Sequence, residues 1–156
     1  KPRIWSANSI TRFMAWIGPI SSIFDVLTYL ILYFIVVPML IGGSYQAGSE
    51  QAGAFITLFQ TGWFIESMWT QTMVIYMLRS PKLPFVQSRP ALSVIVTTMV
   101  AALFVTSLPY SLFASVLKMA PLNGTYFLFL FLIIVLYMVS VTFIKHLYIK
   151  RYKEWL

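Results

Sequence analysis

Four apolar runs, each long enough to cross a bilayer, constrain this chain more than any other feature of it. A helix needs roughly 20 apolar residues to cross a hydrocarbon core about 30 Å thick. The runs cover about residues 19–41, 54–78, 91–108 and 125–147. Of the 156 residues, 60% are hydrophobic and 10% are charged. A soluble domain of this length needs more charge to cover its surface. The expected fold is therefore all-α: a single polytopic membrane domain over 1–156, with four transmembrane helices in a bundle.

The connections carry their own signals. Gly18-Pro19 is expected to break the first span from an amphipathic lead-in, a short interfacial helix at 9–17. "GGSYQAGSEQAG" is Gly- and Ser-rich with one acid, Glu50. "RSPKLPFVQSRP" carries three basic residues and three prolines, which predicts an ordered, non-helical loop. "PYSLFASVLKMAPLNG" is bracketed by Pro109 and Pro121, with room for a second interfacial helix at 110–118. The chain begins with Lys rather than Met and is read as a fragment or processed product. Its first apolar run is too long for a signal-peptide core and is read as a retained span.

Lys and Arg divide unevenly between the two sides of such a bundle. The N-terminal segment has Lys1, Arg3 and Arg12, the middle loop Arg79, Lys82 and Arg89, and the tail Lys145, Lys150, Arg151 and Lys153. All of these fall on one side, against Lys118 on the other. Positive charge stays cytoplasmic, so both termini and the middle loop are expected in the cytosol. The net charge of +7 then points to anionic phospholipid headgroups, not to nucleic acid. Arg79, Lys82, Arg89, Lys150 and Arg151 are the candidate lipid contacts.

Within the second span, "GWFIESMWTQTMVIYMLRS" places Glu66 near the bilayer midplane. An isolated charge there costs at least a few kcal/mol. At about 100° per residue, Thr70 falls about 40° from it, Ser67 about 100° and Gln71 about 140°. These four form one polar sector, expected to face other helices. Two readings stand side by side. Glu66 coordinates a hard cation such as Mg²⁺, with Thr70, Ser67 and Gln71 as neutral oxygen donors. Or Glu66, protonated or bonded to a neighbouring helix, fixes packing.

Asp25 is the other intramembrane acid, with Ser21 at i−4 and Ser22 at i−3 on the same face. His146 sits beside Lys145 near a helix C-terminus, an ordinary interface position. Cysteine is absent, so thiolate metal sites and disulfides are excluded. No nucleophile–base pair, phosphate-binding glycine loop or metal cluster is present in the sequence. The segment carries no catalytic residue and no cofactor site of its own.

The order of blocks resembles a known family. "RFMAWIGPISSIFD", then "LFQTGWFIESMWTQTMVIYMLRSPKLPFVQSRP", then "YIKRYKEWL" are similar to the C-terminal part of the bacterial magnesium-transporting P-type ATPases. The resemblance covers nearly the whole chain. Its most specific part runs from FQ-x-GWFIE through the QT pair, the MLR exit and the KxPF loop to QSR. It is thinnest in the outer loops and the last two spans.

The resemblance implies that the four spans are the seventh to tenth membrane helices of a translocase in the bacterial inner membrane. ATP hydrolysis through an aspartyl-phosphate, and most cation ligands, would belong to upstream parts of the same chain. Those upstream membrane helices and cytosolic domains are the implied partners, and Mg²⁺ and ATP the implied requirements of the whole pump. Related pumps use polar residues of the eighth helix beside an ion site. Glu66 is on that helix and is the candidate metal ligand; with its neighbours Thr70, Gln71 and Ser67, and with Asp25 of the first span, it completes the set of cation-path candidates. The reading from another class is a free-standing four-span channel, carrier subunit or membrane scaffold.

Overall fold

The computed structural model describes residues 7–79 and 90–152, and all the regular structure among them is helical. Helix α1 (Ala7–Ile31) runs through a π-turn (Leu32–Val36) into α2 (Val37–Ile41), which ends at Gly42 in the left-handed conformation. Helices α3 (Ala52–Leu78), α4 (Leu92–Ser107) and α5 (Gly124–Tyr152) follow, with a 3₁₀ turn at Leu108–Tyr110 closing α4.

Ile10–Ile41, Leu92–Tyr110 and Gly124–Tyr152 are long and apolar enough to cross a membrane. Their outer faces are covered with Leu, Ile, Val, Phe and Met. Helix α3 is the exception. Its 27 residues reach about 40 Å, but Gln60, Glu66 and Gln71 lower its apolar content. The structure nonetheless sets α3 alongside the others for its whole length. At one end Phe55 packs on Tyr33 and Tyr45, with ring centroids 5.4 and 5.2 Å apart. At the other, the carbonyl of Met77 meets Lys145 near the end of α5.

Helices α1, α3 and α5 form the core, and α4 leans on α3. Three apolar layers stack along it. Phe13 and Ile17 meet Tyr148 where α1 begins and α5 ends. Ile20, Phe24, Met77, Ile133, Tyr137 and Val141 follow. Leu32, Val36, Ile65, Leu122, Tyr126 and Leu130 fill the far end. The beginning of α1 and the end of α5 thus share one end of the bundle, joined by Trp16 against Tyr148 and Tyr152.

Three local expectations are corrected. Gly18-Pro19 does not break the helix, because α1 continues through Pro19. Gly18 has no Cβ to clash with the proline ring, and transmembrane helices tolerate the lost bond. Residues 9–17 are therefore the first turns of the same rod. Pro38, lacking an N–H, instead accompanies the π-turn, in which Val37 donates five residues back to Leu32. Residues 111–118 form turns, not a helix. Lys118, at φ 52°, ends them in the left-handed conformation as the Met119 N–H bonds back to the Ala114 carbonyl at 2.8 Å. The expected loop at "RSPKLPFVQSRP" lies almost wholly outside the described residues.

Candidate functional site

Glu66 is fully buried where α1, α3 and α5 converge. One turn earlier on α3, Gly62 makes that convergence close. A Cβ there would lie 2.9 Å from Leu32 Cδ2 and 3.2 Å from Tyr126 Cε2. The Tyr126 hydroxyl uses the same gap to donate to the Gly62 carbonyl at 2.7 Å. Small residues at helix contacts let backbones approach in this way.

Neither carboxylate oxygen of Glu66 has a hydrogen-bond partner, and neither has the buried Thr28 hydroxyl of α1. Both side chains line one small cavity of about 10 Å³, otherwise walled by apolar side chains and Tyr126. That is about the space of one water centre and no more. A hydrated cation does not fit this arrangement.

The polar sector expected around Glu66 divides in two. Thr70 is buried with it, but its hydroxyl bonds the backbone carbonyls of Glu66 and Ser67, both at 3.1 Å. Half-buried Ser67 and exposed Gln71 lie further round, toward the open side of α3, where Gln71 Nε2 donates to Ser67 Oγ at 3.2 Å. A sector 140° wide is broader than one helix contact, so its two edges meet different surroundings.

Asp25 is half-buried on α1. Ser21, expected to face it, pairs instead with the Tyr137 hydroxyl of α5 at 3.0 Å, and Ser22 is exposed. His146 is exposed. Among the described residues no three His, Asp or Glu side chains come together as a metal site.

Sequence reasoning missed two participants. Lys145, counted as surface charge, is buried at 3% exposure and donates from Nζ to the Met77 carbonyl at 2.8 Å. It follows Ile133, Tyr137 and Val141 at four-residue steps, a spacing that could have revealed it. Thr61 is the other. Its hydroxyl bonds the Thr57 carbonyl at 2.7 Å and receives the Ala120 N–H at 3.1 Å, tying α3 to the turn before α5. Of the candidate lipid contacts, Lys150 and Arg151 are exposed at the end of α5, and Arg79 is exposed just beyond α3. Lys82 and Arg89 lie outside the described residues. The Arg12 and Arg151 guanidinium groups lie 5.7 and 5.9 Å from the Tyr152 ring centroid.

The family described as "Cation transporting ATPase, C-terminus" matches residues 1–147. A protein named "Magnesium-transporting ATPase, P-type 1" from Salmonella typhimurium strain LT2 is 39% identical over 155 residues, 99% of this chain. One of the same name from Escherichia coli K12 is 33% identical over 152 residues, 97% of the chain. The chain spans 16% of the length of each relative.

Proposed function

Since this chain belongs to the cation-transporting ATPases and corresponds to their C-terminal membrane region, we propose that it is the support domain of an ATP-driven pump carrying Mg²⁺ into the cytosol. In this reading all four long helices cross the bacterial inner membrane, α3 included, and both ends of the chain face the cytosol. ATP and Mg²⁺ serve upstream parts of the same chain, and the basic ends rest on anionic lipid.

One observation carries the support role. Helix α5 holds α3 at two points fifteen residues apart, Tyr126 to the Gly62 carbonyl and Lys145 to that of Met77. Along α3 that is a rise of about 22 Å. Two buried bonds at that separation restrain sliding and rotation of α3, as a static frame for moving helices requires. Glu66 in this reading is a polar contact inside the frame, beside Thr28.

A second reading of Glu66 is favoured by its two unpartnered oxygens. If α1 and α5 part during transport, those oxygens are available to a cation.

The test is Mg²⁺ uptake and Mg²⁺-stimulated ATP hydrolysis by the full-length protein, with and without this segment. Loss of both on truncation, and recovery when the segment is supplied as a separate chain, is the expected result. Mg²⁺ uptake by the segment expressed alone would make it a free-standing channel and overturn the reading.

A further inference from the structure

Helix α3 keeps one face uncovered by the other helices, and the middle of that face is polar. At about 100° per residue, Gln60, Ser67 and Gln71 fall within about 40° of one another. The exposed rings of Trp63 and Phe64 flank them on either side, each more than 40% exposed. All three polar residues lie within about 9 Å of the midpoint of α3 along its axis. The turn that holds the exposed Lys118 reaches the Gln60 end of the stripe, and Gln71 lies beyond it, with acyl chains as the alternative neighbours. Acyl chains offer a carboxamide no hydrogen bond, and an unmet amide costs several kcal/mol in hydrocarbon. The bond between Gln71 and Ser67 meets part of the demand. Gln60, about three turns from the far end of the stripe, is beyond its reach.

Away from their ends, the outward faces of α1, α4 and α5 differ: the exposed large side chains there are aliphatic, aromatic or methionine, with only small hydroxyls such as Ser22 and Thr97 among them. The polar face also opens at one end into a cleft of about 460 Å³. Gln60, Trp63, Ser67 and the turn at Leu117–Met119 form its walls. The cleft is wide enough to receive side chains of another helix.

We propose that the Gln60–Ser67–Gln71 stripe of α3 is the seam against which a membrane helix from the preceding part of the same chain packs, with polar groups of its own facing these three residues. The occupant is argued from length. The chain matches a C-terminal family region and spans 16% of its relatives, so most of such a protein precedes it. The inference rests on the support-domain reading and deepens it. The stripe itself offers that helix two neutral carboxamides and a hydroxyl, with Lys118 in the wall of the adjoining cleft. The Glu66 carboxylate points the other way, into the frame.

The test uses the full-length protein with any cysteines outside this segment replaced; the segment has none. Mg²⁺-stimulated ATPase of that parent is measured first. Ser67→Cys and Gln71→Cys are then each paired with single cysteines stepped along every preceding membrane helix and oxidised with copper phenanthroline. Cross-links within one chain, recurring every three or four residues along one preceding helix, are expected. Cross-links between two copies would overturn the proposal, as would none within a chain that melts at the parent's temperature. Ser67→Trp supplies the second readout. A packed seam predicts a lower melting temperature, and an unchanged one would count against it. A parent without Mg²⁺ dependence removes the transport reading alone and leaves the seam to the cross-links.

Discussion

Lys145 of α5 donates from Nζ to the carbonyl of Met77, one residue before the end of α3, at 2.8 Å. The last carbonyls of a helix have no partner within it and carry the negative end of its dipole. A buried ammonium from a neighbouring helix answers both needs.

Lys145→Met keeps the length and removes the donor. A hydrogen bond to a charged group contributes about 1.5–3 kcal/mol. The full-length protein in detergent should therefore melt at a lower temperature. A Lys150→Met control, at an exposed position, should leave melting nearly unchanged.

Gly62→Ala should destabilise the bundle by about 1–3 kcal/mol, the usual cost of overpacking. The added methyl meets Leu32 at 2.9 Å and Tyr126 at 3.2 Å, and Tyr126 is held in place by its own hydrogen bond. Adding Leu32→Ala should recover part of the loss by opening space on α1. A double-mutant cycle of melting temperatures checks this.

Glu66→Gln should be nearly silent in the Mg²⁺ dependence of ATPase activity, because Gln keeps the shape and the hydrogen-bonding capacity of a neutral acid. Glu66→Ala should lower thermal stability by leaving a cavity. A loss of Mg²⁺ affinity of about a hundredfold in Glu66→Gln, corresponding to a few kcal/mol, would instead place the carboxylate on the cation path.

Topology is checked by single cysteines. Ser49→Cys in the Gly-rich connection should react with an impermeant maleimide in intact cells, and Ser80→Cys only after the membrane is opened. Reaction of Ser80→Cys in intact cells would reverse the orientation.

Activity of the whole protein should rise with acidic lipid. Each Lys or Arg near such a surface contributes about 1 kcal/mol. Neutralising Arg79, Lys82, Arg89, Lys150 and Arg151 together should flatten the dependence in vesicles of graded phosphatidylglycerol content. Equal activity in purely zwitterionic vesicles, with and without the charges, would overturn the proposed lipid contact.

The helices were legible because length and apolarity are local properties. Residues 125–147 announced α5 without knowledge of any neighbour. The misread places needed information from other segments. Pro19 looked like a break because its cost is local, while the tolerance of Gly18 and of the apolar setting is not. The π-turn at Leu32–Val36 packs against Gly62, a residue of another helix. A helical wheel placed Ser67 about 100° from Glu66, but it could not say that α1 and α5 cover one side and leave the other open. Lys145 was legible in principle. Its spacing from Val141 marks the buried face, while a basic residue near a helix end is ordinarily exposed.

The π-turn gives the first rod a corrected phase. Thr28, Leu32 and Val36 follow Phe24 at steps of four, and all are buried. In an unbroken α-helix each such step swings the side chain about 40° further round the axis. Three steps would carry Val36 well away from the line begun by Phe24. One wider turn, holding an extra residue for the same angular travel, takes up that drift. The rod thereby behaves as two gears cut on one shaft, the lower meshing at Ile20 and Phe24 with Met77, Ile133 and Tyr137, the upper at Leu32 and Val36 with Ile65, Tyr126 and Leu130. Loss of a single residue between 32 and 36 would leave the rod helical and its length nearly the same, but the two gears would no longer be in time with each other.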